Sequence, residues 1–433
     1  MAPSALIDEQ STITLQSFTK SSTVSASVLH APQDVRLETR TLGAPSADEL
    51  QITIKSTGIC GSDVSYYNKF ANGDLCACAP LTLGHESSGI VVAIGPHVSN
   101  FKIGDRVALE VGIPCGECGI CRKGRYNLCK KMRFRSSAKS VPHFQGTLQE
   151  RINHPAKWCH KLPDHISFDA AALLEPLSVA IHAVNRASPS PGSTALVIGA
   201  GTVGLLVAAM ARQAGCTNVT IVDIDSGRVN YALSKGFATH GYVTPQPLST
   251  SPSCSSICTS GASTPVSSID TSRTSISSIM TDRLDTAKAL AAAILGVSNP
   301  LGPNRAENNV DDEEEDAGVD LAFECTGKEA CTQTALYASK PGGKLIMVGM
   351  GTPIQTLPLS AAHLREVDIL GIFRYANTYR TGIRLLADGR LPSLDDMVTH
   401  RVRGLANARE AFELAGRTVD DDGRLVLKIV VEA

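Results

Sequence analysis

Apolar and polar residues alternate in short runs over the first third of the chain. Such alternation with a period of two is typical of strands that bury one face. The runs are SASVLH (25–30), VRLETRTL (35–42), LQITIKSTGIC (50–60), GHESSGIVVAIG (84–95) and FKIGDRVALEVG (101–112). The pattern predicts a β-rich, barrel-like N-terminal domain in which helices begin only near Ser167. Residues 1–24 lack the pattern and are predicted to form a flexible extension.

A different pattern begins at Ala195. The apolar run ALVI is followed by Gly199-Ala-Gly201-Thr-Val-Gly204, a helical stretch, and a second apolar run that ends in Asp223. Strand, glycine turn, helix, strand and acid in this order are the dinucleotide-binding fingerprint, whereas a glycine cluster alone can arise by chance. The pyrophosphate is predicted at the helix N-terminus, and Asp223 is predicted to bind the ribose hydroxyls and favour NAD over NADP.

Further strands and helices continue this α/β pattern. Strands are predicted in VDLAFECTG (319–327) and GGKLIMVGMG (342–351), and helices in RLDTAKALAAAILG (283–296) and EACTQTALYASK (329–340). They complete a doubly wound parallel sheet over 179–373, which carries a low-complexity insertion at about 245–316. We expect its Ser/Thr-rich part, 249–281, to be a flexible loop and its acidic end, 300–316, to be solvated, with the helix of 283–296 between them. The chain ends in a helix (405–416) and a strand, RLVLKIVVE (424–432). We predict that residues 374–433 return to the first domain, 25–178.

Composition excludes several classes of protein. The 433 residues carry 40 basic and 42 acidic side chains, which does not favour a nucleic-acid partner. No apolar stretch reaches the roughly 18 residues of a membrane span, and the N-terminus lacks the pattern of a secretory signal. We therefore expect a cytoplasmic protein, in which the thirteen cysteines serve as thiols or metal ligands rather than disulfides.

Cys115, Cys118, Cys121 and Cys129 form a compact C-x2-C-x2-C-x7-C motif among basic residues. Four thiolates complete a tetrahedral zinc shell and leave no open position, which predicts a structural zinc rather than disulfides or free thiols. A second set is looser in sequence: Cys60, His85, Glu86 and Glu175. A thiolate, an imidazole and a carboxylate that leave room for a further ligand are typical of catalytic zinc, but the spacing alone is weak support.

Seven motifs together resemble the zinc-containing medium-chain dehydrogenase/reductase family. They are GICGSDVSYY, LGHESSGIVVAIG, GRYNLC, NHPAKWCHKLPD, LEPLSVAIHA, REVDILGIFRYANTY and VTHR. Within the family, the chain is most similar to the polyol group of sorbitol, xylitol and L-arabinitol dehydrogenases. The resemblance implies a GroES-like catalytic domain, a Rossmann cofactor domain, NAD, one catalytic and one structural zinc per chain, oxidation of a small polyol, and a homotetramer.

The resemblance also implies roles for individual residues. Cys60, His85 and Glu86 hold the catalytic zinc, while Glu175 either ligates it or holds its bound water and accepts the proton through Ser62 or Tyr66. The positions that line the polyol site are Ser62, Tyr66, Phe134, Arg374 and Tyr375. The positions around NAD are Gly199, Gly201, Val203, Gly204, Asp223, Arg228, Val348, Gly349, Met350, Phe373 and Arg374.

The sequence departs from the polyol group at two places near the substrate. Ser65 stands where a histidine is common, and RSSAKSVPHFQ replaces a familiar short loop between Phe134 and Gly146. Two alternatives therefore stay open: another zinc alcohol or threonine dehydrogenase of the same scaffold, and a non-catalytic, zinc-stabilised NAD-binding protein.

Overall fold

The structure, a computed structural model, describes residues 21–245, 276–298 and 318–433. These residues form two compact units. The first comprises the described residues up to Ser178 together with Ala376–Ala433, and the second is Val179–Tyr375. The second boundary lies two residues later than predicted. The predicted extension up to residue 20 and most of the predicted insertion lie outside the described residues.

The first unit is built on strands, as the alternating pattern predicts. Its strands are β1 (Ser22–Ala31), β2 (Asp34–Leu42), β3 (Glu49–Gly58), β4 (Ala71–Asn72), β5 (Leu75–Cys76), β6 (Leu81–Thr82), β7 (Glu86–Ile94), β8 (Arg106–Leu109), β9 (Gly112–Ile113), β10 (Arg133–Phe134), β11 (Arg151–Pro155), β12 (Cys159–Lys161), β19 (Val398–Arg403) and β20 (Lys428–Glu432). A seven-stranded sheet has the order β12-β8-β7-β3-β20-β19, with β11 also paired to β3. The last strand, β20, pairs antiparallel with β3 and so lies in the sheet of the first unit. The expectation of a flexible extension is wrong for residues 22–24, because they pair with β2 as the start of β1.

The second unit contains a six-stranded parallel sheet. Its strands are β13 (Thr194–Ile198), β14 (Asn218–Asp223), β15 (His240–Val243), β16 (Val319–Glu324), β17 (Ser339–Met347) and β18 (Asp368–Gly371). The order β15-β14-β13-β16-β17-β18 confirms the doubly wound fold, in which ligands bind where the strand order reverses, between β13 and β16. The helices are α5 (Thr202–Gln213), α6 (Ser226–Ser234), α7 (Ile276–Ser298), α8 (Glu329–Ala338) and α9 (Leu359–His363).

The remaining helices belong to the first unit or begin in it. They are α1 (Gly61–Lys69), α2 (Gly119–Arg122), α3 (Phe168–Ala172), α4 (Leu174–Ala187), α10 (Tyr379–Ala387), α11 (Leu394–Met397) and α12 (Ala408–Ala415). The prediction that helices begin only near Ser167 is wrong, because α1 starts a hundred residues earlier. Its apolar residues are mostly β-branched or aromatic and have weak helix propensity, but Asp63 accepts the backbone N–H of Cys60 (3.1 Å) and caps the first turn.

Each unit buries its own apolar side chains. In the first, Leu50, Ile52 and Leu109 belong to one cluster, while Tyr67 stacks on Phe412 in another with 5.2 Å between ring centroids. In the second, Leu196 and Leu345 are fully buried beside the sheet. Within the three described ranges, no helix is long and apolar enough to cross a membrane.

Candidate metal and cofactor sites

Three predicted ligands meet where two neighbouring strands end and begin. Strands β3 and β7 are antiparallel partners, and Gly58 pairs with Glu86. Cys60 follows β3 as the N-cap of α1, His85 precedes β7, and Glu86 is its first residue. The ligand atoms of Cys60, His85 and Glu86 all lie within 4.8 Å of one another, and His85 and Glu86 are almost fully buried. This thiol, imidazole and carboxylate set fits a zinc ion with a position left for a further ligand.

The carboxylate of Asp63 contacts the imidazole ring of His85. Its Oδ1 lies 3.3 Å from Nδ1 of His85, an ion-pair contact without the alignment of a good hydrogen bond. The same carboxylate, fully buried, accepts from the backbone N–H of Gly84 (3.2 Å) and the hydroxyl of Ser136 (2.9 Å). Burial alone would lower the pKa of His85, but the charge of Asp63 outweighs it and raises that pKa. With Nδ1 turned to Asp63, Nε2 is the nitrogen available to a metal.

A buried lysine neutralises Glu86. Lys428, on β20, forms an ion pair with Oε2 of Glu86 and donates to the carbonyl of Ile59 at 2.8 Å. Burial would lower the pKa of Lys428, but the charges of Glu86 and Cys60 prevail and raise it. Lys428 therefore stays charged and holds the Glu86 carboxylate between β3 and β20.

Gly58 leaves the space that the Glu86 side chain occupies. A Cβ at this position would overlap Oε2 of Glu86 and lie 3.0 Å from Cε of Lys428. We therefore expect Gly58→Ala to displace the carboxylate and weaken zinc binding by about 10–100-fold, although no ligand is changed. Zinc retained during titration with a chelator measures this. Gly43→Ala, where a Cβ meets nothing within 4 Å, is the control, and equal zinc affinity in both variants would contradict the assignment.

Four of the other residues predicted for this site lie in the first unit, whereas Arg374 and Tyr375 belong to the second. Glu175 is buried in the first turn of α4, but it is not among the three residues whose ligand atoms lie within 4.8 Å. Ser62 is half-buried on α1. Tyr66 is buried, and its hydroxyl accepts the backbone N–H of Ala138 at 3.1 Å. Phe134 packs against His85 with 5.6 Å between ring centroids.

The four cysteines of the compact motif also meet. Their sulfur atoms lie within 4.8 Å of one another, with 3.4 Å from Cys118 to Cys121, 3.9 Å from Cys115 to Cys121 and 3.6 Å from Cys115 to Cys129. A tetrahedral zinc with bonds of about 2.3 Å places its sulfurs about 3.8 Å apart, whereas a disulfide needs about 2.05 Å. The arrangement therefore fits a closed zinc site.

The loop around these cysteines favours a thiolate at Cys115 and disfavours one at Cys121. Backbone N–H groups of Cys118 and Glu117 lower the pKa of Cys115 to about 6. Partial burial and the neighbouring Cys118 raise the pKa of Cys121 to about 12. The thiolate of Cys115 thus forms readily, whereas further thiolates form only when a bound cation offsets their negative charge.

The three glycines of the turn before α5 differ in conformation and in the space around them. Gly199 has a φ of 103°, which other residues rarely adopt. A Cβ on Gly204 would overlap the carbonyl oxygen of Gly199. Gly201 has ordinary dihedrals, and a Cβ there would meet nothing within 4 Å, although it is the N-cap of α5. Its missing side chain therefore leaves open space at the helix N-terminus, which suits a phosphate group.

Asp223 ties the second strand to the glycine turn. One carboxylate oxygen accepts the backbone N–H of Ala200 at 2.6 Å, and the other accepts that of Asp225 at 3.0 Å. Asp225 in turn caps α6 by accepting the N–H of Arg228 at 3.0 Å. A half-buried carboxylate is thus fixed beside the turn, at the carboxyl end of β14.

The remaining residues predicted around NAD follow the last strands of this sheet, except for Val203 on α5. Val348 and Gly349 are half-buried directly after β17, and both donate their N–H to the carbonyl of Glu324. Met350 and Phe373 are exposed. Arg374 has a φ of 50°, and Tyr375 is buried. Val203, in the first turn of α5, is half-buried.

Sequence reasoning missed three residues of the metal site: Gly58, Asp63 and Lys428. Asp63 lies inside the GICGSDVSYY motif, and the motif alone does not show that its side chain turns back to His85. Lys428 had a visible sign, since it is the one charge inside the apolar run LVLKIVV. A charge in such a run predicts a buried partner.

Comparisons with known proteins find relatives of both units among zinc-dependent dehydrogenases. Residues 46–164 match the alcohol dehydrogenase GroES-like domain, and residues 276–388 match the zinc-binding dehydrogenase family. Sorbitol dehydrogenase from Gallus gallus is 35% identical over 90% of this chain and 93% of its own. D-xylulose reductase A from Aspergillus oryzae is 33% identical over 89% and 91%. The crystal structure of ECK1772, an Escherichia coli oxidoreductase/dehydrogenase of unknown specificity, is 28% identical with a TM-score of 0.74 over 95% of this chain and 99% of its own.

Proposed function

The chain belongs to the polyol group of the zinc-containing medium-chain dehydrogenase/reductase family, and from this we propose that it oxidises a polyol at a secondary hydroxyl to a ketose, with NAD as the acceptor. The observation that carries the proposal is the meeting of Cys60, His85 and Glu86 in one buried cluster. When bound by these residues, zinc would supply a Lewis acid for the substrate hydroxyl, and NAD would supply the hydride acceptor.

The protein's own groups bind the substrate and move its proton. Glu175 accepts the proton, and Ser62 or Tyr66 relays it. Phe134, Arg374 and Tyr375 line the polyol site, where Arg374 donates to the hydroxyls that do not react. An apolar alcohol would leave such donors unpaired, at about 1–3 kcal/mol for each buried group.

The proposal includes two zinc ions per chain, the second on Cys115, Cys118, Cys121 and Cys129. That site needs reduced thiols, which supports a cytoplasmic location, and the eleven cysteines of the described ranges are all free. The domain roles follow: the first unit is catalytic, and the second holds NAD. The homotetramer rests on the resemblance alone.

Removal of the Glu175 carboxylate tests the proposed proton acceptor. We expect Glu175→Ala to lower kcat by about 10²–10⁴-fold and to leave NAD affinity within about twofold, because Glu175 lies in the first unit and the glycine turn in the second. Steady-state kinetics and NAD titration measure both. Glu175→Gln, which keeps the shape, should be equally slow. Turnover within a few-fold of wild type would contradict the role, and loss of one zinc would make Glu175 a ligand instead.

The cofactor preference is expected to depend on Asp223. A carboxylate there repels the 2′-phosphate of NADP, so Asp223→Ser should lower the ratio of kcat/KM with NAD to that with NADP by about tenfold or more. Asp368→Ser is the matched control, because this exposed aspartate lies on β18, at the far edge of the same sheet. An unchanged ratio in Asp223→Ser would refute the assignment.

A further inference from the structure

A cavity of 360 Å³ lies in the first unit between β12 and α10. We call it the basic pocket, and its defining residues are Phe101, His160, Lys161, Arg380, Ile383 and Arg384. The strand β12 is at the edge of the seven-stranded sheet. None of the residues placed at either zinc site lines this cavity.

Two guanidinium groups of the basic pocket lack a counter-charge. Arg380 and Arg384 are four residues apart on α10, so both project from the same face of that helix, and both are exposed. Neither forms an ion pair or a side-chain hydrogen bond within the ranges that the structure describes. Like charges at this spacing destabilise a helix, so an anion held between them would relieve their repulsion.

The two basic residues that β12 contributes to the pocket, His160 and Lys161, are each paired with an acid. Asp105 contacts Nζ of Lys161 at 2.8 Å, and Glu110 contacts Nε2 of His160 at 2.9 Å. The pocket therefore keeps a net positive charge from Arg380 and Arg384, which attracts an anionic ligand.

The wall of the basic pocket is fixed before a ligand arrives. The His160 ring stacks on Tyr379 with 4.9 Å between centroids, and the Tyr379 hydroxyl donates to the carbonyl of Leu109 at 2.8 Å. Nζ of Lys161 lies 5.2 Å from the centre of the Phe101 ring. Pre-ordered groups lose little freedom when a ligand binds.

We infer that the basic pocket binds a small phosphate monoester, of the size of a sugar phosphate. Guanidinium groups bind phosphate through paired hydrogen bonds, so Arg380 and Arg384 take the phosphate, while Phe101 and Ile383 offer an apolar surface to the carbon skeleton. The volume is near the lower end of the roughly 300–1,000 Å³ of small-molecule sites, which suits a sugar phosphate better than a dinucleotide.

Calorimetric titration of the zinc-loaded full-length protein tests the inference, with glucose 6-phosphate, inorganic phosphate and ADP as separate probes and no nicotinamide cofactor present. We expect one glucose 6-phosphate per chain, bound at least about tenfold more tightly than inorganic phosphate. Arg380→Gln and Arg384→Gln should each raise its Kd about tenfold, since each removes a charge-assisted hydrogen bond. Arg390→Gln is the matched control, because Arg390 is exposed just beyond α10 and does not line the pocket, and it should bind within twofold of wild type.

Four results would overturn the inference. The first two are the absence of binding heat with glucose 6-phosphate and an unchanged Kd for it in the double variant Arg380→Gln/Arg384→Gln. The third is an equal Kd for inorganic phosphate and glucose 6-phosphate. The fourth is a larger loss of affinity for ADP than for glucose 6-phosphate in the double variant. If instead the double variant shifts the sedimentation coefficient and leaves affinity unchanged, this face is a contact between chains and the inference is also wrong. We expect dehydrogenase activity to be unchanged in these variants, because neither arginine belongs to a candidate zinc or NAD site, so the test is independent of the proposed function.

Discussion

Replacement of His85 by alanine is expected to lower kcat/KM for a polyol by about three orders of magnitude or more. The imidazole is one of three protein ligands in the buried cluster. Its loss also removes the ring nitrogen Nδ1 that faces the Asp63 carboxylate. Metal catalysis supplies several kcal/mol of charge stabilisation in the transition state, and about 4 kcal/mol corresponds to a thousandfold in rate. Steady-state kinetics measure the loss.

Metal content shows whether the loss has this cause. Elemental analysis of His85→Ala should find one zinc per chain where wild type has two, because the four-cysteine site is untouched. His97→Ala is the control: this histidine is largely exposed and lies 3.3 Å from Asp48, away from the ligands. A His85→Ala enzyme with near-normal kcat/KM would contradict the assignment of the catalytic metal site.

Replacement of Cys118 by serine is expected to have the largest effect on stability. A closed site loses a thiolate ligand, and the three remaining cysteines, with the pKa of Cys115 already near 6, are left close together without a full metal shell. Structural zinc contributes directly to folding, so we expect the free energy of unfolding to fall by about 3–5 kcal/mol and Tm by about 10 °C.

Calorimetry and limited proteolysis measure this second effect, and cleavage should concentrate between Ile113 and Arg133. The control is Cys76→Ser, since Cys76 is exposed and outside the cluster. Zinc content should fall by one in Cys118→Ser and stay constant in Cys76→Ser. Equal Tm values in the two variants would show that this loop does not depend on a metal.

The parallel sheet of the second unit was the part of the fold most accessible from sequence. Strands buried on both faces contain short continuous apolar runs, and ALVI, LAF and LIM are of this kind. Glycines mark the turn after the first of these strands because Gly199 has a φ that other residues rarely adopt and a Cβ on Gly204 would overlap the carbonyl oxygen of Gly199. Such constraints are local, so they leave a trace in the sequence.

The supports of the metal site were hidden because they depend on long-range contacts. Asp63 and Ser136 are 73 residues apart, and Lys428 donates to Ile59 across 369 residues. Pairing of β20 with β3 creates the second contact, and periodicity cannot specify which strands become partners. The helix α1 was missed for a related reason: its cap and its packing outweigh the weak helix propensity of Val64, Tyr66 and Tyr67.

The substrate itself is expected to depend on the segment between Phe134 and Gly146. This segment departs from the polyol group in sequence, and it contacts the candidate metal site twice, through Phe134 on the His85 ring and through Ser136 on Asp63. A change of sequence here therefore alters the wall beside the metal ligands while leaving the ligands in place. The class of reaction and the choice of polyol are thus separable properties of the chain.

The most direct test of the central claim is NAD reduction, at neutral to mildly alkaline pH, with sorbitol, xylitol, L-arabinitol, ethanol and L-threonine. Each substrate is assayed with the protein as purified, after chelation, and after zinc is added back. We predict turnover of at least one polyol, its loss on chelation and its return with zinc, and little or none with ethanol or L-threonine. A protein that holds two zinc ions and NAD and yet oxidises no polyol would contradict the polyol assignment. Turnover that survives removal of the metal from Cys60, His85 and Glu86 would contradict zinc catalysis itself.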